Sequence, residues 1–149
     1  QIDEINHLNP VMPLVFLGYG LGAGGYALFF GGGLKEGVIA AIIGFLMYFF
    51  IWINEILKIN ALMRTTLTSM FLTALSILFY HFKMINNLDA TIIGCLMILT
   101  PGIAITNSLR DIIDGNYVSG QARLVEAFFI ATAIALGVGL MRILMKGMI

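Results

Sequence analysis

The sequence is poor in charge. Only 11% of its 149 residues are charged, against about a quarter in ordinary soluble domains, and 60% are hydrophobic. Eight Lys and Arg residues balance eight Asp and Glu residues, so the chain has neither a basic surface for nucleic acid nor an acidic solvating tail. This composition is typical of an integral membrane protein, and it excludes nucleic-acid binding as a leading function.

Cysteine and histidine are also scarce. A single cysteine, Cys95, cannot form an internal disulfide, which excludes a disulfide-stapled secreted domain. The two histidines, His7 and His81, lie far apart in the sequence and make no metal-binding constellation with it. The acidic residues have no neighbouring nucleophile, so we expect no enzymatic activity, no metal and no cofactor.

Long runs without charge divide the chain. A bilayer core of about 30 Å requires roughly 20 mostly apolar residues per helical crossing, so each run predicts a membrane span. The sequence therefore predicts an all-α, integral membrane fold with five transmembrane helices, multi-pass in the cell (inner or plasma) membrane. Arg142 and Lys146 are expected to snorkel from the last helix to the interface. The predicted spans cover about 11–33, 37–54, 65–82, 90–109 and 123–145.

The first ten residues are polar and differ from the rest of the chain. The segment QIDEINHLNP is acidic and lacks the positively charged start of a signal peptide. We expect residues 1–10 to be a linker from an upstream soluble domain and residues 11–149 to form the transmembrane domain.

Small residues recur four apart in two predicted spans. In membranes this spacing lets neighbouring backbones approach closely, because one face of the helix stays smooth. A flexible gating helix is the alternative for the first span, but close packing is the commoner use. For the last span we expect packing alone. The residues are Gly18, Gly20, Gly22 and Gly24 in the first span and Ala127, Ala131, Ala135 and Gly139 in the last.

The third span carries hydroxyl groups along one face. Thr65, Ser69 and Thr73 are four apart, so their side chains lie on the same side of a helix. They could line a polar path through the membrane. Hydrogen bonding to their own helix or to a neighbour is the commoner use of such residues. Ser69 and Thr73 are therefore secondary polar candidates for a transport path.

The strongest signal lies at the end of the fourth span. Pro101 has no N–H to donate to the carbonyl of Met97, and Gly102 follows it. The pattern predicts that the helix kinks or breaks inside the membrane and frees a carbonyl group. Many transporters build solute sites at broken helices of this kind.

Polar residues follow the break at helical spacing. On a continuing helix Thr106, Asn107, Arg110, Asp111 and Asp114 would form one polar flank. Arg110 could receive a carboxylate, and either aspartate could meet an ammonium group. The alternative is an interfacial helix end stabilised by its own ion pairs, followed by turns. The turn residues are Gly115, Asn116, Ser119 and Gly120, and a second candidate charge is Glu126 beside Arg123.

The string PGIAITNSLRDIIDGNYVSGQARL resembles the signature of the threonine/serine exporter family. The FFGGG that closes the glycine-rich first span resembles the same family, and the likeness covers essentially the whole chain. It is specifically to the membrane half of the larger, N-terminal component. The matching positions are Pro101, Gly102, Thr106, Asn107, Arg110, Asp111, Gly115, Ser119 and Gly120.

The resemblance implies a secondary exporter of small polar solutes, threonine and serine in some members and dicarboxylates such as succinate in others. It also implies an upstream soluble domain and a second membrane unit, so we expect a homo-oligomer or an assembly with a second subunit. We expect an ion gradient to drive transport, because the chain has no ATPase motif. A membrane scaffold or assembly subunit and a passive channel are the alternatives.

Overall fold

The computed structural model describes residues 12–148, which form helices joined by short turns and contain no β-strand. The predicted linker, residues 1–10, lies outside the described residues. A C-terminal 3₁₀ turn, Lys146–Met148, follows the last helix. The helices are α1 (Met12–Phe29), α2 (Leu34–Ile56), α3 (Ala61–His81), α4 (Leu88–Leu99), α5 (Gly102–Ile113) and α6 (Tyr117–Leu144).

Three of the described helices, α2, α3 and α6, are each long and apolar enough to cross a membrane. Helices α4 and α5 meet this condition only together, and their axes bend by 50° at the break between them. Helix α1 is apolar but shorter. Residues 12–148 thus contain three candidate spans, or four when the bent pair counts as one, which is fewer than the five predicted from composition.

Four helices end in the same backbone motif, with one residue in the left-handed conformation. This residue is Gly31 (φ 86°) after α1 and Gly115 (φ 86°) after α5, but Lys58 (φ 52°) after α2 and Lys83 (φ 57°) after α3. Its N–H and the next N–H bond to carbonyls of the last helical turn, which satisfies them. The conformation suits glycine but costs a side-chain-bearing residue about 1–2 kcal/mol. The two lysines are therefore held under mild strain.

Helices α1 to α4 form an interlocked bundle, in which α1 packs on α2 and α4, and α2, α3 and α4 pack on one another. Glycine permits the closest approaches. A Cβ atom at Gly94 would lie 2.6 Å from the backbone nitrogen of Ala27, and one at Gly24 would lie 2.8 Å from the carbonyl oxygen of Gly37. Gly24 thus serves the close packing expected of the first span, whereas nothing lies within 4 Å of a Cβ at Gly18.

The main hydrophobic cluster belongs to this bundle. Every residue of the main buried cluster comes from α1 to α4 or from the turn before α4, and Cys95 is among them, as expected for a small apolar side chain. Helices α5 and α6 contribute none. The cluster consists of Ala23, Ala27, Ile39, Ala40, Ile43, Met47, Leu72, Ile77, Ile85, Leu88, Ile92 and Cys95.

Helices α5 and α6 form a hairpin that joins the bundle mainly through packing of α6 on α3. The closest contact is at Gly137, where a Cβ atom would lie 2.6 Å from the carbonyl oxygen of Thr66. The predicted packing stripe of α6 is wrong beyond Ala127, because Ala131, Ala135 and Gly139 are exposed. The face of α6 that meets α3 is the one that carries Gly137, so a different set of small residues is buried.

Candidate functional site

The break between α4 and α5 has a specific local cause. Helix α4 ends at Leu99, Thr100 is extended, and α5 begins at Gly102 after Pro101. In a continuous helix the amide at position 101 would donate to the carbonyl of Met97, but proline has no N–H. The hydroxyl of Thr100 donates to that carbonyl instead, at 2.6 Å. The carbonyl that the sequence predicted to be free is therefore satisfied locally.

A cleft of about 520 Å³ opens at this break. Helix α1, the end of α4 and the first turns of α5 form its walls, so the bend in the chain creates it. Its volume lies within the range of small-molecule sites, which is about 300–1,000 Å³. Four of the lining residues carry hydroxyl or amide side chains. The lining consists of Tyr26, Met97, Ile98, Thr100, Gly102, Ile103, Thr106 and Asn107.

The structure divides the predicted site residues between two places. Thr106 and Asn107 line the cleft, and the hydroxyl of Thr106 donates to the carbonyl of Gly102 at 3.0 Å. Arg110 and Asp114 lie further along α5 and do not line it. Their side chains are 81% and 59% exposed, and the Arg110 Nε to Asp114 Oδ2 distance is 3.9 Å. An ion pair this exposed contributes little to stability.

Asp111 fastens the α5–α6 hairpin. Its Oδ2 lies 3.3 Å from Nε of Arg123 and accepts a hydrogen bond from the hydroxyl of Ser119 at 3.0 Å. Its side chain is 26% exposed, which makes it the most shielded carboxylate of the hairpin ion pairs. Glu126, the second candidate charge, takes part in none of the ion pairs of residues 12–148. Arg123 pairs with Asp111 across the hairpin instead.

The glycines of the loop motif shape the same hairpin. Gly115 ends α5 in the left-handed conformation, and the next amide, of Asn116, donates to the carbonyl of Asp111 at 2.8 Å. The carbonyl of Gly120 accepts the hydroxyl of the buried Ser108 at 2.6 Å. A Cβ at Gly120 would lie 2.9 Å from the carbonyl oxygen of Ser108. The loop motif thus turns the chain and brings α5 and α6 into contact.

The whole sequence decides the family. A family model described as "Putative threonine/serine exporter" matches residues 1–145. The chain belongs to the threonine/serine exporter family. No curated protein and no solved structure matches it. The resemblance seen in the motif after the fourth predicted span is thereby confirmed.

In this exporter family member the hydroxyl face of α3 is packed inside the protein. Ser69 and Thr73 are fully buried, and they donate to the carbonyls of Thr66 at 2.8 Å and of Ser69 at 2.7 Å. Ser69 also lies against Gly137 of α6. Of the two interpretations open from the sequence, this geometry favours bonding within the helix over a polar path.

The protein also contains a buried carboxylate that sequence reasoning did not single out. Glu36 is 4% exposed, and its Oε1 accepts the backbone N–H groups of Asn86 at 2.7 Å and Asn87 at 3.1 Å. It therefore ties the start of α2 to the turn between α3 and α4. The sequence feature that could have identified Glu36 is its place directly after a glycine-rich turn in a chain with few charges.

A second tie joins Asp89 at the start of α4 to Arg142 near the end of α6. The sequence predicts that Arg142 reaches the membrane interface, and in the structure it has an ion-pair partner 53 residues away. Among residues 12–148 no three His, Cys, Asp or Glu side chains are grouped so that they could hold a metal ion.

Proposed function

We propose that this chain is the membrane component of a secondary exporter of threonine and serine, or of related small carboxylates such as succinate, driven by an ion gradient. Membership of the family supports a transport role. The observation that carries the proposal is the cleft at the break between α4 and α5, because it combines a small-molecule volume with hydroxyl and amide side chains.

The start of α5 is the proposed site for the carboxylate of the solute. Its N-cap, Pro101, makes no side-chain hydrogen bond to the first turn, so the amides there stay available. Gly102 and Ile103 of this turn line the cleft. The N-terminus of a helix attracts anions through its N–H groups and its dipole. In this proposal the helix end takes the carboxylate, the role that spacing alone assigned to Arg110.

Thr106 and Asn107 are the proposed contacts for the rest of the solute. Asn107 offers both a donor and an acceptor, which suits the hydroxyl and ammonium groups of threonine or serine. The hydroxyl oxygen of Thr106 can accept a hydrogen bond from the solute while its O–H group donates to the carbonyl of Gly102. Arg110 lies one turn beyond Thr106 on the same helix face. We therefore propose that Arg110, its ion-pair partner Asp114 and the neighbouring Asp111 contact solute at the mouth of the cleft.

Substitutions at two unobstructed glycines test the cleft. Gly102→Val adds a side chain to the cleft lining, where nothing lies within 4 Å of a Cβ atom. We expect radiolabelled threonine efflux to fall at least tenfold in intact cells, while membrane expression stays normal. Gly139→Val in α6 is the matched control, because its Cβ also meets nothing within 4 Å. Equal efflux in the two variants would remove the cleft from the transport path.

We further propose five membrane crossings, formed by α1, α2, α3, the bent pair α4 and α5 together, and α6. The single cysteine allows a direct test in a Cys95→Ala background. New cysteines at Leu57 and Asn116 should react with an impermeant thiol reagent from one side, and those at Phe82 and Lys146 from the other. Labelling of Asn116→Cys from the same side as Phe82→Cys would instead mean that α4 and α5 form a re-entrant loop.

A second candidate function, an assembly subunit, is favoured by the outer surface of the hairpin. Four of its charged residues form two ion pairs within it, and large apolar side chains such as Ile113, Val118 and Phe128 are exposed. Such a surface suits a second membrane subunit or a second copy of this chain. In this case the purified chain binds the partner, and no amino acid or dicarboxylate shifts its thermal unfolding. Stabilisation by threonine that is lost in Gly102→Val would favour the exporter instead.

A further inference from the structure

Two adjoining clefts lie where α3 ends and α4 begins. Their volumes are about 320 and 350 Å³, and they share Tyr80 and Asn86 as lining residues. The first also contains Lys83, and the second contains Asp89 and Arg142. We call this continuous surface the α3–α4 groove. It is separate from the cleft at the break between α4 and α5, which has none of these residues in its lining.

The α3–α4 groove has an excess of positive charge. Lys83 and Arg142 line it, and Lys146 lies in the 3₁₀ turn whose Met148 lines it. The only exposed carboxylate in the lining is Asp89, which pairs with Arg142. Glu36, nearby at the start of α2, is buried and bound to the amides of the turn. Lys83 in the lining and Lys146 in the adjoining 3₁₀ turn take part in none of the ion pairs of residues 12–148.

Lys83 occupies a backbone position that normally belongs to glycine. Its φ of 57° places it in the left-handed region, where α1 and α5 use Gly31 and Gly115. Because this backbone strain costs free energy, its presence at a residue that lines a groove suggests a functional role for the lysine side chain. Lys58 has the same strain at the opposite turn, so the strain alone does not mark a site. The groove and the neighbouring cations distinguish Lys83.

Apolar side chains flank Lys83 on both sides in the sequence. Phe82 is 66% exposed and Met84 is 49% exposed. A charged group between two exposed apolar groups at the end of a membrane helix matches the boundary between lipid headgroups and acyl chains. Basic pockets between membrane helices bind anionic headgroups by this arrangement.

We propose that the α3–α4 groove binds the phosphate of an anionic phospholipid, held by Lys83 and Lys146. Phe82 and Met84 then contact the acyl chains, which a free phosphate ion does not have. The lipid would join the end of α3 to the 3₁₀ turn after α6, two segments that contact each other directly. A bound lipid therefore stabilises the attachment of α6 to the bundle.

The test uses the purified full chain in a neutral detergent, with phosphatidylglycerol, phosphatidylcholine or inorganic phosphate added. We expect phosphatidylglycerol alone to raise the thermal unfolding temperature and to remain bound in native mass spectrometry. Lys83→Gly should weaken its binding about fivefold, since each interfacial cation contributes on that order. The variant folds, because glycine suits the left-handed position. Lys58→Gly, which makes the same backbone change at the opposite turn, should leave lipid binding unchanged.

Three results would overturn the proposal. Equal stabilisation by phosphatidylcholine would show that lipid binding does not depend on the charge of the headgroup. Equal loss of lipid binding in Lys83→Gly and Lys58→Gly would show that binding depends on the net charge of the protein and not on the α3–α4 groove. A matching shift with inorganic phosphate would reduce the site to an adventitious ion only. Additional weakening in Lys83→Gly combined with Lys146→Gln would support the two-lysine site.

Discussion

The four-helix bundle and the α5–α6 hairpin hold together by different means. In the bundle each helix packs on at least two others, and glycines bring backbones into direct contact. In the hairpin α5 buries a single residue, Ser108, and packs on α6 at Gly120, and ion pairs and the turn at Gly115 add further contacts. The bundle is therefore held by close packing among four helices, whereas α5 packs mainly on α6 and depends more on local polar bonds.

The candidate solute cleft lies between these two regions. Tyr26 and the end of α4 come from the interlocked bundle, whereas Thr106 and Asn107 come from the weakly buried α5. One wall is thus fixed by many contacts and the other by few. Elements with few buried contacts open most readily, so α5 is the wall expected to move. Three substitutions test this difference.

The largest effect is expected from Gly94→Val in the bundle. A Cβ at Gly94 would lie 2.6 Å from the nitrogen of Ala27 and 2.7 Å from its Cα, and backbone cannot move aside without separating α1 from α4. We expect a loss of about 3 kcal/mol in the free energy of unfolding, measured by thermal unfolding in detergent. Gly139→Val, which meets no atom within 4 Å, is the control. Similar unfolding temperatures for the two variants would contradict the close packing of α1 on α4.

An intermediate effect is expected from Glu36→Gln. The neutral side-chain amide of Gln is a weaker acceptor than the carboxylate for the backbone N–H groups of Asn86 and Asn87, and the side chain at this position is buried. We expect a loss of about 1–3 kcal/mol and faster hydrogen exchange at these two amides. Glu126→Gln, at a side chain outside the described ion pairs, should change neither quantity. Unchanged exchange in Glu36→Gln would mean that the carboxylate does not hold the turn.

The smallest effect is expected from Asp111→Asn in the hairpin. This change weakens a partly exposed pair with Arg123, and such pairs contribute about 0–1 kcal/mol. We expect little change in the unfolding temperature but faster proteolysis at the turn around Gly115. Because salt screens exposed charges, high salt should reduce the difference from the parent chain. A loss as large as that of Glu36→Gln would show that the hairpin is as firmly held as the bundle.

Much of the fold could be predicted from local chemistry. Each charge-free run falls mainly on helical residues, although α6 begins six residues before the predicted 123 and the run at 90–109 holds most of α4 and most of α5. The left-handed turn at Gly115 follows from glycine's freedom at a helix end. The α6 stripe failed for a different reason. Spacing shows which residues share a helix face, but only the position of α3 decides that the face with Gly137 is buried.

The candidate site was predicted in part. The residues after Pro101 were identified, and Thr106 and Asn107 do line the cleft. Tyr26 was missed, because it comes from α1 and nothing in the local pattern brings α1 to this break. Arg110 lies among the exposed charges at the end of α5 and does not line the cleft, so its contact with solute stays a prediction.

The sequence by itself determined the class of protein, the approximate helices and the family, because these depend on composition, periodicity and a long motif. Only the tertiary structure decided which polar groups act together. Glu36 and Asn86 are 50 residues apart, and Asp89 and Arg142 are 53 apart, so no local spacing relates them. The physical reason is that burial and pairing depend on which helices pack together, and that packing is a property of the whole chain.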